Sequence, residues 1–129
     1  MVEMKTLPIA ACTFVASLAL AISASAQQAP RLKVFISVDM EGLAGVVTAS
    51  DVNPSGPDYA YFRGVMAAET NAAIDGAFRA GATEVLVRDS HGSKQNLLPG
   101  SVDPRARLLR GASLGPRNMM EGIDSTFWW

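Results

Sequence analysis

Apolar and polar positions alternate in three distinct ways along the chain, and the changes of pattern mark out its elements. Lys33 to Val38 (KVFISV) is a mostly apolar run of β-branched and aromatic residues. Such a run predicts a strand buried on both faces, as in a parallel sheet. Tyr59 to Ala80 has a helical period. Phe62, Val65, Met66, Ala73, Ile74 and Ala77 fall on one side of the wheel, and Asn71, Asp75 and Arg79 on the other. Asp58 stands where it can cap the start, and Gly81 lies just past the end. Thr83 to Val87 (TEVLV) predicts a second buried strand, which runs into Arg88-Asp89-Ser90-His91-Gly92. The stretch Asp51 to Asp58 (DVNPSGPD) reads as turn throughout, and Ala106 to Leu109 as a third, shorter strand. A strand, one crossover helix and a second strand make a βαβ unit with parallel strands. The expected fold class is therefore α/β with a mostly parallel sheet. One residue breaks the helical pattern: Glu69 lies inside the apolar arc. Buried acids are rare, so it is expected either to pair with Arg63 or reach the rim, or to serve as an acid beneath a metal site.

The N-terminus has a different character. Lys5 is followed by TLPIAACTFVASLALAISASA, which closes on Ala24-Ser25-Ala26. That is the layout of a secretory signal peptide cleaved before Gln27. The expected organisation is a signal over residues 1–26, a tether over 27–32 and one domain over 33–129. The stretch is long enough to raise a membrane anchor as the alternative. Its Ala and Ser content, its A-x-A end and the lack of a basic stop point to cleavage, leaving no stable anchor. The expected location is the periplasm or the exterior of a bacterium. The only cysteine, Cys12, leaves with the signal. That excludes disulfides, cysteine nucleophiles and thiolate metal sites from the mature chain. The net charge is −1, with no basic patch interleaved with aromatics, so nucleic acid is not an expected partner.

The chemistry gathers at the strand ends. Asp39 and Glu41 follow the first strand, and His91 follows the second. Parallel strands of a βαβ unit end on the same edge of the sheet, where α/β proteins bind ligands. Neighbouring strand tips are about 5 Å apart, so three metal-ligating side chains would converge. In extended backbone, residues i and i+2 point the same way, so Asp39-Met40-Glu41 offers two carboxylates to one ion or to an adjacent pair. Gly42 would let the chain turn sharply and bring backbone near the site. Two close carboxylates repel each other, and a divalent cation removes that penalty. Carboxylates with an imidazole suit zinc, which supports amide hydrolysis. Asp89 could orient His91 from behind, as metal-bound histidines usually require, or cap the following turn.

SVDMEG, then EVLVRDSHGSKQNLLP, then MMEGID resembles the zinc-dependent D-aminopeptidases of the DppA type, peptidase family M55. The resemblance runs from Lys33 to about Phe127. It implies an α/β fold with a mostly parallel sheet, a ring-forming homo-oligomer and two Zn2+ ions per site. It also implies that Asp39 bridges the ions, Glu41 binds one and His91 the other. The implied reaction is release of an N-terminal D-amino acid, often D-alanine, from short peptides. With an export signal, cell-wall peptides are the expected substrates.

The family supplies a further histidine and a further glutamate downstream of the MMEG segment. No histidine follows His91 in this sequence, and Trp129 is reached before either ligand. The expectation is an N-terminal portion of such an enzyme, with an exposed sheet edge, weak zinc binding and little or no peptidase activity alone. Two other readings stand beside it. One is an exported domain that binds metal or peptide without turnover. The other is a haloacid-dehalogenase-type phosphatase, whose first motif also follows an apolar strand with Asp-x-acid-Gly. That motif normally has Asp where Glu41 stands and Thr or Val where Leu43 stands, and it gives DSHG no role.

Overall fold

Strand β1 (Lys33–Val38) pairs in parallel with β2 (Glu84–Asp89), from Lys33 opposite Glu84 to Val38 opposite Asp89. Strand β3 (Arg107–Leu109) pairs in parallel with the other edge of β2, giving a sheet of order β1-β2-β3. The crossover between β1 and β2 contains a short helix α1 (Ala49–Val52) and a long helix α2 (Tyr59–Arg79). These elements come from a computed structural model that describes residues 31–124. The expected signal peptide, most of the tether and the Ser125–Trp129 end lie outside the described residues. Leu32, expected to close the tether, already joins the ladder, because its carbonyl accepts the Thr83 N–H at 2.8 Å. Among the described residues, no helix is long and apolar enough to cross a membrane.

The sheet sits between two covers. Val34, Ile36 and Val38 of β1, with Val85 and Val87 of β2, pack on Phe62, Met66 and Ile74 of α2. On the opposite face, Phe35, Leu86 and Leu109 meet the segment that follows β3. A Cβ built on Gly122 would lie 2.8 Å from Leu109 Cδ2, 3.0 Å from Leu86 Cδ2 and 3.9 Å from Phe35 Cε2. The Gly122 backbone, with φ +98°, therefore rests directly on the strands. Arg88 on this face is 1 % exposed. Its guanidinium donates to the Gly111 carbonyl, the Ser113 hydroxyl and the Glu121 carboxylate.

β2 is buried almost throughout, as a central parallel strand requires. β1 is only half-buried, because it forms an edge of the sheet among the described residues. Helix α2 closes with two hydrogen bonds. Gly81 N–H donates to the Phe78 carbonyl and Ala82 N–H to the Ala77 carbonyl, each at 3.0 Å, with Gly81 at φ +94°. This is the Schellman pattern, in which the left-handed position favours glycine. At the other end, Asp58 occupies the cap position, but its side chain makes no capping bond. Ala73, expected in the apolar arc, is exposed near the free edge of β1. Helix α1 was not expected. A single turn has too few residues to show a period, and Asn53-Pro54-Ser55-Gly56 just downstream carries strong turn chemistry. Its start is held by the Asp51 carboxylate, which accepts the Val47 and Thr48 N–H groups at 3.0 and 2.8 Å.

Candidate metal centre

The ladder continues one bond beyond β1, where Ser90 N–H donates to the Val38 carbonyl at 2.8 Å. This places the residues after β1 beside those after β2. Met40 is fully buried between the two acids. With its side chain committed to the core, Asp39 and Glu41 turn the other way. Asp39 Oδ1 accepts the Met40 N–H at 2.9 Å. Successive turns from Leu43 N–H to the Met40 carbonyl and from Val46 N–H to the Leu43 carbonyl then fold the chain away.

His91 Nδ1 lies 3.1 Å from Asp39 Oδ1 and 3.0 Å from Glu41 Oε2. One ligand atom from each of the three residues lies within 4.8 Å of the others. The imidazole is nearly buried, whereas the Glu41 side chain is 62 % exposed. The second ring nitrogen, Nε2, is 2.9 Å from the Val52 carbonyl oxygen at the end of α1. A carbonyl oxygen only accepts, so Nε2 carries a proton. Nδ1 then has two states. It is protonated as imidazolium, or it directs a lone pair at two carboxylates. The second state is repulsive unless a cation lies between them.

Local electrostatics fit this geometry. Burial works to lower the His91 pKa, but the Val52 hydrogen bond and the Glu41 and Asp39 carboxylates outweigh it and hold it above 6.5. Burial works to raise the Asp39 pKa, but hydrogen bonds from Glu41, Met40 N–H and His91 bring it below 3.8. Without a metal, a proton on His91 would compensate the acids. A zinc ion suits the same place. Zn–N and Zn–O bonds of about 2 Å in tetrahedral array put adjacent ligand atoms about 3.3 Å apart. The two Nδ1–oxygen separations are within a few tenths of an ångström of that.

The remaining expected residues do other things. Asp89 is fully buried and does not reach the imidazole. Its Oδ2 accepts the Asn96 and Leu97 N–H groups at 2.6 and 2.8 Å, and its Oδ1 accepts Asn96 Nδ2 at 2.8 Å. It shapes the loop behind His91, while the Val52 carbonyl orients the ring. Glu69 is exposed, and its Oε1 accepts the Ala44 N–H at 2.9 Å. It pins the turn after Glu41 rather than lying under the ligands. Arg63, its expected partner, donates instead to the Asn96 carbonyl at 2.8 Å. Gly42 needs no left-handed backbone, and a Cβ there would meet nothing within 4 Å. The left-handed residue of this turn is Gly45, at φ +86°. Neither Val52 nor Asn96 was singled out from the sequence. Val52 acts through its carbonyl, which no side-chain pattern reveals. Asn96 lay in the quoted NLLP stretch, and a polar residue just ahead of two leucines was the available signal.

Comparison with known proteins agrees with this fold. The pattern that defines the D-aminopeptidase family, peptidase family M55, matches residues 32–128. A D-aminopeptidase of Bacillus subtilis (strain 168) is 41 % identical over 96 residues, which are 74 % of this chain and 35 % of that protein. The solved structure of DppA from Bacillus subtilis, described as a Zn-dependent D-aminopeptidase and a self-compartmentalizing protease, superposes with a TM-score of 0.70 at 41 % identity. That match covers 74 % of this chain and 35 % of the other. The chain thus spans about a third of its relatives' length, and over that span it belongs to the M55 family of D-aminopeptidases.

Proposed function

We propose that Asp39, Glu41 and His91 are the zinc ligands contributed by this chain to a D-aminopeptidase site, which releases N-terminal D-amino acids from short peptides. The observation that carries the reading is the imidazole. With Nε2–H held by the Val52 carbonyl, the Nδ1 lone pair and two carboxylate oxygens share one small space. If two ions are bound, Asp39 would be shared between them, with Glu41 available to one and His91 to the other. Zinc in this place supplies Lewis acidity toward a peptide carbonyl and activation of water. The chain's own residues do the preparatory work. Met40 anchors the acidic pair, Val52 fixes the tautomer, and Glu69 steadies the turn that carries Glu41.

Each ion of a pair would have two protein ligands from this set, one of them shared, where catalytic zinc usually has three. The 129 residues hold no second histidine to add. These 129 residues alone are therefore expected to bind zinc weakly and to turn over little or no substrate. The residue 1–26 pattern supports work outside the cytoplasm on cell-wall peptides, and the self-compartmentalizing relative supports a homo-oligomer.

The test is zinc titration of metal-stripped protein, beside hydrolysis of D-alanine amide. The expected result is zinc uptake in the parent, its loss in Asp39→Ala and His91→Ala, and little or no amide hydrolysis. Retention of full zinc affinity by His91→Ala would refute the ligand assignment. Magnesium-dependent phosphate release in place of zinc uptake would move the chain to the phosphatase class.

A further inference from the structure

We infer that Asn96 positions His91 in the metal site, with the Tyr59 hydroxyl locking the amide in place. The inference rests on the reading of His91 as a ligand, and its test separates the two. Asn96 is 2 % exposed, and each of its polar groups has a partner. Its side-chain Nδ2 has two N–H bonds and uses both, to Asp89 Oδ1 at 2.8 Å and to the His91 backbone carbonyl at 2.7 Å. Its Oδ1 accepts the Tyr59 hydroxyl at 2.5 Å. Its backbone N–H donates to Asp89 Oδ2 at 2.6 Å, and its carbonyl accepts Arg63 Nε at 2.8 Å. The reversed amide would set an oxygen against both a carboxylate and a carbonyl, so only one orientation is compatible with these neighbours.

This network joins three rigid points. Asp89 is the last residue of β2, while Tyr59 and Arg63 stand on the first turns of α2. Between them hangs the loop that carries His91. Further along the loop, the Lys94 and Gln95 carbonyls accept Gly111 N–H at 2.6 Å and Arg110 Nη2 at 2.8 Å, but the stretch next to His91 is open: Gly92 and Ser93 are exposed, and Gly92 and Lys94 have φ of +47° and +60°. Besides Asn96, the His91 carbonyl accepts only the Lys94 N–H, at 2.7 Å, among the described residues. Loss of the amide would leave the backbone beneath the imidazole held from one side. The ring could then no longer satisfy the Val52 carbonyl and the two carboxylates together. Buried partners that orient metal-binding histidines typically change metal affinity by about 10- to 100-fold when removed.

The experiment compares Asn96→Ala, Tyr59→Phe and the core control Ile74→Val in the full chain, each under conditions where unfolding curves show it folded. Zinc affinity is read by competition with a chelating dye. The imidazole tautomer is read without metal, at alkaline pH, from nitrogen–proton correlations of the chain's single histidine. Asn96→Ala is expected to weaken zinc binding by about 10- to 100-fold and to mix the Nε2–H form with the other tautomer. Tyr59→Phe, which removes one O–H, should do the same to a smaller degree and keeps the test available if Asn96→Ala does not fold. Ile74→Val should match the parent in both. Parental tautomer and zinc affinity in both network variants overturn the inference, as does an equal loss in Ile74→Val. If the parent takes up no zinc while the network variants still mix the tautomers, the ligand reading falls and the positioning role of Asn96 stands.

Discussion

Gly81 and Gly122 have nearly the same backbone angle but opposite surroundings, so alanine at each separates conformational strain from packing. Both lie in the left-handed region, with φ of +94° and +98°. Forcing an L-residue there costs about 1–2 kcal/mol. At Gly81 nothing lies within 4 Å of the added methyl, so strain is the whole native-state cost. At Gly122 the methyl would come within 2.8 Å of Leu109 Cδ2 and 3.0 Å of Leu86 Cδ2. Both contacts are side-chain ends that must move within a packed face, and overpacking of this kind adds about 1–3 kcal/mol. The gain from a stiffer unfolded chain, about 0.4–1 kcal/mol, is common to both and cancels in the comparison. Gly122→Ala should therefore be less stable than Gly81→Ala by about 1–3 kcal/mol. Urea unfolding followed by circular dichroism measures this as a lower midpoint at unchanged slope. Equal midpoints for the two variants would refute the seating of the MEGI segment on the strands. That seating also matters near the site, because Met119, just before this segment, offers its carbonyl to Ser37 Oγ at 2.9 Å, two residues before Asp39.

Three further outcomes follow from the geometry. His91 has a raised pKa in the folded metal-free protein, so its contribution to stability is present below 6.5 and is lost as pH rises through the raised value. Zinc must displace that proton, so affinity should rise about tenfold per pH unit until His91 is neutral and then level off, as dye competition across pH would show. Glu69→Ala should cost under about 1.5 kcal/mol and leave zinc affinity nearly unchanged, since the exposed carboxylate holds Ala44 and no ligand; a loss comparable with Asp39→Ala would place it in the metal site. Glu121→Ala should destabilise more than Arg88→Met, because the first leaves a guanidinium that is 1 % exposed without its counter-charge, keeping only the neutral Gly111 and Ser113 acceptors, while the second leaves a carboxylate that is 23 % exposed and removes a buried Nε with no acceptor; the reverse order in urea midpoints would contradict this.

The parts of the fold that repeat were readable in the sequence. β1 carries the bounds that its apolar run suggested, β2 and β3 begin one residue later, β2 runs two residues further to Asp89, and α2 ends one residue earlier. The parallel pairing followed from the single crossover. The parts that depend on one atom were not readable. Asp58 has the right chemistry and position for a cap, yet the bond that matters in this crossover is made by Asp51 to two N–H groups before α1. The acidic pair was visible because Asp-x-Glu follows a strand. The Val52 carbonyl, which fixes the imidazole, leaves no trace in residue type. Asp89 looked like an orienting acid because it is two residues from His91. Its carboxylate is turned inward, and Asn96 carries the connection from it to the His91 backbone.

A strand that ends in two acids is costly only if nothing answers their charge. Here the answer is arranged before any metal arrives. The buried Met40 prevents the acids from rotating away, and parallel pairing brings the residue two places beyond β2 to meet them. The Val52 carbonyl takes one imidazole proton and so leaves the other nitrogen facing the acids. A proton on that nitrogen and a zinc ion beside it are alternative occupants of one electrostatic position. A protonated His91 would thus compensate the metal-free site itself, and a zinc ion held by these residues would enter by exchange for that proton rather than by filling an uncompensated anionic hole. Removing only the imidazole should therefore harm the apo fold as well as the metal site. In His91→Ala, Asp39 and Glu41 would face each other without a cation, and the Asp39 pKa should rise from its lowered value. Carbon-detected titration of the Asp39 carboxyl in the parent and in His91→Ala measures that shift. An unchanged Asp39 titration would show that the imidazole does not compensate the acids.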